Sequence, residues 1–456
     1  MKRESFRAEV ADLVRLAVPI SLGRIGIVLM TTVDFIMIGH VSSAQLAYQS
    51  IGVAPVMPLI VVGLGLLIGT AVVVANARGA GSHEECGRAW RRSLPYAFTI
   101  GLAGMAVCML GENVLLMLGQ SPDLARHGGE VMRITGYGLP AFMLFLTTAF
   151  FLEGIGRAAP WMIVIFAGNV LNALLNALLI EGGLGLDAMG AAGAAWATTV
   201  SRWAVTVVLI AYVWGFNDGK RYATRGSVWQ GWQTWRDQRS LGYAASIGGG
   251  ADSLAFATLT MIAGWIGAST LAAFALTFNI MTMIFMITLG VGSATAVHVG
   301  VAYGARDIGA ASRAGWLGLG LNSVAMAVCG GVLLIFGNQV AGLFSGDPAL
   351  IALVAPMLGL LSVILLVDGG QSVLANALRG ARDVWLPCAI QVSSYFLLMI
   401  PLAYMLAVSS GHGGMGLMYG FLVASTVSFI LLIRRFHSPR TWSCEPAPAN
   451  GAAVRE

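Results

Sequence analysis

The chain has 456 residues, of which 57% are hydrophobic and only 10% are Asp, Glu, Lys or Arg. Soluble proteins carry about 25% charged residues, so this chain has too little charge to cover a water-exposed surface. The same composition excludes a disordered chain, which needs low hydrophobicity and high charge. The five cysteines show no pairing pattern that would indicate a disulfide scaffold. An integral membrane protein remains.

Long charge-free stretches indicate membrane crossings, because a helix needs about 20 mostly apolar residues to span the hydrocarbon core. No Asp, Glu, Lys or Arg occurs between Asp252 and Arg306 or from Val384 to Ile433, and each stretch is long enough for two helices. The sequence therefore predicts an all-α membrane protein with twelve transmembrane helices. The predicted spans are 13–40, 47–75, 90–112, 130–151, 160–181, 188–214, 240–266, 272–300, 314–340, 350–377, 384–408 and 414–435.

Basic residues predict the orientation, because cytoplasmic loops retain Lys and Arg. Apart from Arg24 and Arg202, which fall within spans, 22 of the remaining 24 Lys and Arg residues lie at the two termini and in the even-numbered loops. Only Arg126 and Arg133 lie on the other side. Both termini are therefore predicted to be cytoplasmic. The net charge of +5 reflects this topology rather than binding of nucleic acid.

The two halves of the chain resemble each other at a nearly constant offset. Gly79 and Gly304 lie 225 positions apart, and Gly154 and Gly380 lie 226 apart. Because six spans separate equivalent points, both halves enter the membrane from the same side and form two parallel-repeat six-helix bundles. A duplicated bundle with a cleft between its halves is typical of alternating-access transporters. The predicted domains are an N-terminal six-helix lobe (1–214), a cytoplasmic interfacial linker (215–239), a C-terminal six-helix lobe (240–437) and a polar cytoplasmic tail (438–456).

Three acids fall at membrane depth, where an ionisable group costs at least a few kcal/mol and should face a cavity or a partner. They are Asp34 in the first span, Asp252 in the seventh and Asp368 in the tenth. No base lies near them in sequence, which favours cation binding; the alternative is that each acid pairs with polar neighbours and fixes helix packing. Arg24 lies ten residues from Asp34, about 15 Å along a helix, which excludes a direct pair. Arg202 is expected to snorkel or to bind loop carbonyls.

Polar residues of the fifth and sixth spans complement Asp34. Asn172 and Asn176 are four residues apart and share a helix face, so both amide oxygens can point the same way, and Thr198 adds a hydroxyl. With Asp34 they would supply the oxygen ligands that a monovalent cation prefers, provided that the helices adjoin. The alternative is ordinary interhelical hydrogen bonding. Pro19 removes one hydrogen bond within the first span and predicts a bend.

The sequence shows no pattern for catalysis or for cofactor binding. The His and Cys residues have no metal-ligand spacing, and the G-x-x-x-x-G-K-[ST] motif of nucleotide-binding loops is absent. We therefore expect no cofactor and no enzymatic activity. A membrane-embedded transferase would need acids and bases clustered near one interface with a metal or a lipid phosphate, and no such cluster is visible.

With these residues identified, the chain resembles the multidrug and toxic compound extrusion (MATE) family, and within it the NorM-like branch. The resemblance covers nearly all twelve spans and rests on PISLGRIGIVLMTTVDFIMIG, LNALLNALLIEGGLG followed by MGAAGAAWAT, and DGGQSVLANALRGARDVWLP. It implies the MATE fold of two six-helix lobes in a bacterial inner membrane. It also implies that a monomer exchanges inward Na+ or H+ for amphipathic, often cationic organic compounds. The alternative within the superfamily is a dedicated metabolite exporter or a lipid-linked flippase.

The resemblance also implies roles for residues of the N-terminal lobe. The family's first-span acid falls on Asp34, its bend-forming proline on Pro19, and its polar cluster on Asn172, Asn176 and Thr198.

In the C-terminal lobe, the two acids of the NorM-like branch fall on Asp252 and Asp368, although the seventh-span position is commonly glutamate. An aromatic residue that lies near the bound cation in some relatives falls on Phe285, which has no hydroxyl group. Two carboxylates in one low-dielectric cavity should either hold a proton or recruit a cation such as Na+. The sequence does not choose between the two ions.

Overall fold

The computed structural model describes residues 2–182, 187–215, 219–227, 235–344 and 347–442, and all regular elements within them are helical. The helices of the N-terminal half are α1 (Lys2–Val41), α2 (Ser43–Val53), α3 (Val56–Leu67), α4 (Gly69–Gly79), α5 (His83–Met109), α6 (Gly111–Met117), α7 (Pro122–Tyr137), α8 (Leu139–Gly154), α9 (Ala159–Leu179) and α10 (Gly190–Gly215).

The C-terminal half follows the same plan with longer, less interrupted helices. They are α11 (Arg236–Ile266), α12 (Ala268–Gly304), α13 (Ile308–Phe344), α14 (Pro348–Gly380), α15 (Trp385–Ser393), α16 (Ile400–Tyr404), α17 (Gly413–His437) and α18 (Pro439–Trp442). Two π-helical segments, Ser394–Met399 and Met405–Ser409, flank α16.

The membrane fold is confirmed by the length and apolarity of the helices. Within the described ranges, nine helical segments can cross a membrane, and the bent pairs α5–α6 (63°) and α7–α8 (42°) bring the number to eleven. Helix α11 takes the place of the predicted seventh span and is long enough, at 31 residues. It is less apolar because three glycines and Asp252 interrupt its hydrophobic run. The twelfth crossing therefore stays a prediction.

Prolines account for part of the difference between the predicted spans and the helices. The second span is divided into α2, α3 and α4, with Pro55 at the first break, and Pro140 follows the break between α7 and α8. Proline lacks the N–H group that would continue a helix. Helix α1, by contrast, runs without a break through Pro19. The bend expected at Pro19 stays a prediction.

The two halves contact each other through helices that the repeat relates. Helix α1 packs on α12, and α11 packs correspondingly on α3 and α4. At the ends of α4 and α12, Gly79 lies against the carbonyl oxygen of Val301 and Gly304 against that of Asn76, so closely that a Cβ atom at either glycine would overlap it. The reciprocity follows the 225-residue offset found in the sequence. It indicates parallel repeats related by an approximate two-fold axis.

Four of the even-numbered loops between the predicted spans lie at the same end of the molecule, which we call the basic end. They are 80–82, 155–158, 305–307 and 381–384. A cavity of about 970 Å³ at this end is lined by Arg78, Arg157 and Asp307, which lie in or beside three of these loops. The fourth loop contacts α4 two residues before Arg78, where Arg382 Nε donates a hydrogen bond to Asn76. Placement of the basic end in the cytoplasm stays a prediction.

The predicted linker and tail are described in part. Of 215–239, residues 216–218 and 228–234 lie outside the described residues, and α11 begins four residues earlier than expected. The described segment 219–227 packs on α5, where Arg91 Nη1 donates a 2.6 Å hydrogen bond to the carbonyl of Ser227. Of the predicted tail, positions 443–456 lie outside the described residues.

Candidate functional site

Asp34 lies in a closed polar cluster formed by α1, α9 and α10. Its side chain is 2% exposed. Its Oδ1 accepts hydrogen bonds from Asn172 Nδ2 at 3.1 Å and from Asn176 Nδ2 at 2.6 Å, and its Oδ2 accepts one from the hydroxyl of Thr198. The structure therefore brings together all four polar residues predicted for the N-terminal lobe. Their role in cation binding stays a prediction.

The amide groups of this cluster do not point as expected. Helical spacing predicts that the amide oxygens face a bound ion, whereas both amide nitrogens face Asp34. The oxygen of Asn176 is buried and has no hydrogen-bond partner among the described residues. In this arrangement three hydrogen-bond donors satisfy the carboxylate. A bound Na+ would require the amides to turn over and present their oxygens.

Asn169, on the same face of α9, has a different role. Its Nδ2 donates to the backbone carbonyl of Gly26 at 2.9 Å. Gly26 lies eight residues before Asp34 on α1, or about 12 Å along the axis. This bond therefore fixes the position of α1 against α9 at a distance from the polar cluster.

The two acids of the C-terminal lobe line one cavity of about 330 Å³ between the lobes. Asp252 comes from α11 and Asp368 from α14, so the structure brings this predicted pair to a common site. Gln391 Nε2 donates to Asp252 Oδ2 at 2.8 Å. The other oxygen of Asp252 is buried without a hydrogen-bond partner in the described part of the chain. Asp252 thus keeps one oxygen available to a proton or a cation.

Three donors converge on a single oxygen of Asp368. Its Oδ1 accepts hydrogen bonds from Gln371 Nε2 at 2.6 Å, Tyr395 Oη at 3.0 Å and Ser425 Oγ at 3.1 Å. None of these three donors is predicted from the sequence. The available signal for Tyr395 was a polar hydroxyl deep in an apolar span, because a buried tyrosine hydroxyl usually finds a partner. Phe285, the aromatic residue predicted near the cation, lines the cavity.

Two arginines also line this cavity, although no base lies near the acids in sequence. Arg379 follows Asp368 by eleven residues on α14, and its Nη1 donates a 2.7 Å hydrogen bond to Asn376 Oδ1. Arg24 reaches the cavity from α1. Its Nη2 lies 3.7 Å from an oxygen of Glu153.

Glu153 and Arg379 are not predicted as membrane residues because the predicted fourth and tenth spans end before them. The predicted fourth and tenth spans stop at 151 and 377, whereas α8 and α14 continue to Gly154 and Gly380. Both charged residues therefore lie on the last turn of a helix rather than in a loop.

The expectation that Arg202 snorkels or binds loop carbonyls was wrong. Its side chain is buried, and its guanidinium lies 4.9 Å from the centre of the Phe142 ring. The face of an aromatic ring attracts a cation at this distance. A cation–π contact inside the N-terminal lobe thus replaces the contact expected at the membrane surface.

In the described residues, no group of three or more His, Cys, Asp and Glu is arranged to hold a metal ion. Oxygen ligands for Na+ would therefore come from carboxylates together with neutral groups. At the interlobe cavity these are Asp252 and Asp368 with the side chains of Gln391 and Tyr395.

Comparison with known proteins gives one consistent family. The MatE family model matches residues 19–178 and 251–405. The chain is 36% identical over 435 residues to the probable multidrug resistance protein NorM of Caulobacter vibrioides, covering 95% of this chain and 92% of that protein. It is 30% identical over 441 residues to the multidrug resistance protein NorM of Burkholderia vietnamiensis, covering 95% of each.

Solved structures agree on the fold. A eukaryotic MATE transporter aligns with a TM-score of 0.86 at 20% identity, over 96% of this chain and 98% of that one. An outward-facing multidrug resistance MATE family transporter aligns with a TM-score of 0.85 at 21% identity, over 96% and 97%. Of the predicted site residues, Thr198 alone lies outside the two segments matched by the family model.

Proposed function

The chain belongs to the MatE family, and from this premise we propose that it is a secondary active multidrug efflux antiporter. It moves Na+ or H+ inward and amphipathic, often cationic organic compounds outward by alternating access. The observation that carries the proposal is the placement of Asp252 and Asp368 in one cavity between the lobes. This cavity is the place where an ion and an organic cation would meet the same negative charge.

The physical argument begins with the repulsion between the two carboxylates. Two like charges in a medium of low dielectric constant repel each other strongly, so a proton, a Na+ ion or an organic cation is favoured between them. Arg379 offsets part of this charge but forms no ion pair within 4.0 Å with either acid in the described structure. Competition for the remaining negative charge links inward movement of the ion to release of the substrate.

The cavity also suits a ligand of drug-like character. Its volume of about 330 Å³ is at the lower end of the range for small-molecule sites. Phe256, Phe278 and Phe285 contribute apolar surface to its wall, and aromatic faces attract organic cations. These features support amphipathic substrates that combine a flat apolar body with a positive group.

Asp34 provides a third acid, which lies on the opposite lobe. Its cluster is closed, and Asp34 is absent from the lining of the interlobe cavity. We therefore assign it to ion coupling rather than to direct contact with substrate. The protein would act as a monomer in a bacterial inner membrane, with both termini in the cytoplasm, without a cofactor and without chemical turnover.

The test is efflux by the purified protein in lipid vesicles. A fluorescent cationic dye should move against its gradient when a Na+ gradient or a pH gradient is imposed, and dissipation of that gradient by an ionophore should stop it. A rate of dye movement that is the same with and without either gradient would overturn the antiport mechanism. Movement of a labelled lipid in place of the dye would support a flippase of the same superfamily.

A further inference from the structure

The two lobes meet along two helix contacts that the repeat relates. In the first, which we call the polar seam, α11 packs on α3 and α4 and bonds to α5; in the second, the cavity seam, α1 packs on α12 and α13. Ser246 Oγ donates a 2.8 Å hydrogen bond to the carbonyl of Val62 in the polar seam, and Ser21 Oγ donates a 3.3 Å hydrogen bond to that of Ile287 in the cavity seam. Both members of one bond lie 225 residues from those of the other, so the sequence offset also relates the two seams in space.

Gln238 is the centre of a buried hydrogen-bond network in the polar seam. It lies on α11 of the C-terminal lobe and is 4% exposed. Its Nε2 donates to Thr70 Oγ1 at 3.0 Å and to Ser93 Oγ at 2.5 Å, and its Oε1 accepts from Arg92 Nε at 2.7 Å. Arg92 Nη1 in turn donates to Glu85 at 2.9 Å. All three bonds of Gln238 therefore join the C-terminal lobe to α4 and α5 of the N-terminal lobe.

A second polar connection lies on the same side of the molecule. Arg382 Nε donates a 3.2 Å hydrogen bond to Asn76 Oδ1, and Arg382 Nη1 lies 3.5 Å from Asp237, the neighbour of Gln238. Asn76 Nδ2 donates a 3.1 Å hydrogen bond to the carbonyl of Gly380. Side-chain hydrogen bonds therefore hold the lobes together at two places near the basic end of the polar seam.

The basic-end cavity of about 970 Å³ occupies the corresponding place in the cavity seam. Five of its lining residues lie 225 or 226 positions from members of the two polar connections, and none of the five has a polar side-chain atom. They are Leu13, Leu317, Ala310, Gly156 and Val301, in the places of Gln238, Arg92, Glu85, Arg382 and Asn76. The cavity seam therefore cannot form the side-chain bonds that close the polar seam.

The backbones also approach more closely in the polar seam. Gly69 lies against a backbone carbonyl of α11 and Gly242 against one of α3, so that a Cβ atom at either glycine would overlap it. The equivalent residues of the cavity seam are Ala294 and Ala17, whose Cβ atoms prevent the same approach. Packing and hydrogen bonding thus differ between the seams in the same sense.

We propose that the polar seam is the hinge and the cavity seam the gate when the lobes part at the basic end. Parting at the polar seam would break the three buried hydrogen bonds of Gln238, whereas parting at the cavity seam enlarges a cavity lined there by apolar groups. Helix α11 therefore stays on α4 and α5 while α1 separates from α12 and α13. Gln238 is a positioning residue for this movement. The inference rests on the proposed function, in which the basic end opens to release the ion inward.

The hinge is tested by the distances between spin labels in detergent, in a chain whose native cysteines are replaced. Ala11→Cys with Gly309→Cys spans the cavity seam, and the equivalent pair Arg236→Cys with Glu84→Cys spans the polar seam; all four positions are exposed. We expect one narrow distance distribution across the polar seam and a broader one with a longer component across the cavity seam. Distributions of equal width, or a broader one across the polar seam, would overturn the proposal.

Variants of the network test its part in the hinge. Gln238→Leu introduces the residue type found at Leu13, and Thr70→Val removes one of the three partners of Gln238 with little change in volume. Each should raise the separated fraction at the polar seam by about fivefold or more, which corresponds to the loss of one ordinary hydrogen bond. An unchanged distance across the polar seam in Thr70→Val would contradict the proposal even if Gln238→Leu failed to fold.

Thr295→Val is the matched control. Thr295 is the residue equivalent to Thr70 and is as deeply buried, but its hydroxyl donates to a carbonyl of its own helix, α12. Both valine variants should lower the melting temperature to a similar extent, since each loses one buried hydroxyl group. Only Thr70→Val should change the distance across the polar seam. The same change in both variants would mean that the network contributes to packing alone.

Efflux from vesicles is measured separately on cross-linked protein. A bifunctional maleimide that joins Arg236→Cys to Glu84→Cys should leave dye efflux largely intact, whereas one that joins Ala11→Cys to Gly309→Cys should stop it. Equal loss of efflux with both cross-links would overturn the hinge. A chain that moves no dye before cross-linking contradicts the proposed function, and the spin-label distances still decide whether the polar seam is a hinge.

Discussion

Asn176 donates a 2.6 Å hydrogen bond to Asp34 across the contact between α9 and α1. The amide is fully buried, so the bond links the first and fifth predicted spans at a place that water does not reach. Any process that removes the charge of Asp34 also removes the strong acceptor that orients this amide. Loss of that acceptor would weaken this part of the helix contact, while the bond from Asn169 to Gly26 would still hold α1 against α9.

Asp34→Asn should leave the protein inserted and folded but strongly impair efflux. The amide keeps the volume of the carboxylate, yet it cannot titrate and offers one acceptor oxygen to three donors, which should cost about 1–3 kcal/mol of stability. Drug resistance of cells, compared at equal membrane expression, measures the effect. Unchanged resistance would assign Asp34 to structure.

Asn176→Ala and Asn169→Ala form a matched pair on one face of α9. Asn176 contacts Asp34, whereas Asn169 contacts the backbone of Gly26. Both variants should lower the melting temperature to a similar extent, since each loses a buried hydrogen bond. Only Asn176→Ala should reduce efflux per folded molecule. An equal loss of efflux in both variants would mean that the asparagines act through helix packing alone.

Asp252→Asn combined with Asp368→Asn should remove the ion dependence of substrate binding. In the wild type, higher Na+, or lower pH if the ion is a proton, should weaken binding to the solubilised protein, because ion and substrate compete for one negative charge. Affinity measured by fluorescence or calorimetry across these conditions gives the result. Wild-type affinity indifferent to both ions, or a double variant as sensitive as the wild type, would contradict the mechanism.

Tyr395→Phe removes one of the three hydrogen bonds to Asp368 and keeps the ring. Without this donor the ionised carboxylate is less well stabilised, by about 1 kcal/mol, so the ion affinity should change several-fold while the fold is retained. Tyr404→Phe, an exposed tyrosine of α16, is the control. Ion titration of substrate binding distinguishes the two. The same change in both variants would argue against a role for the Tyr395 hydroxyl.

Residues near His83, Arg225 and Ser438 should be reachable only from the cytoplasm, and residues near Asp123 and Asp347 only from outside. The 22-to-2 partition of loop charges is the reason. Single cysteines labelled in intact cells and in inverted vesicles provide the measurement. If cysteines at Asp123 and Arg225 react from the same side, the twelve-span topology is wrong.

Much of the N-terminal site could be predicted from the sequence, because helical spacing alone places Asn172 and Asn176 on one face. The direction of their amides could not be predicted, since it depends on which group each amide meets across the helix contact. Glu153 and Arg379 were missed for another reason. A span assigned by apolar length stops at the first charge, whereas a helix continues as long as its backbone hydrogen bonds are made.

The shared fold of the lobes does not extend to their chemistry. Gly79 and Gly304 each lie against a backbone carbonyl of the other lobe, but the position equivalent to Asp34 at the 225-residue offset is Leu259, which is fully buried in the apolar core. Two lobes with identical polar groups would have the same binding properties. Duplication therefore gives both lobes the same fold, and divergence at a few buried positions gives each lobe a different polar site.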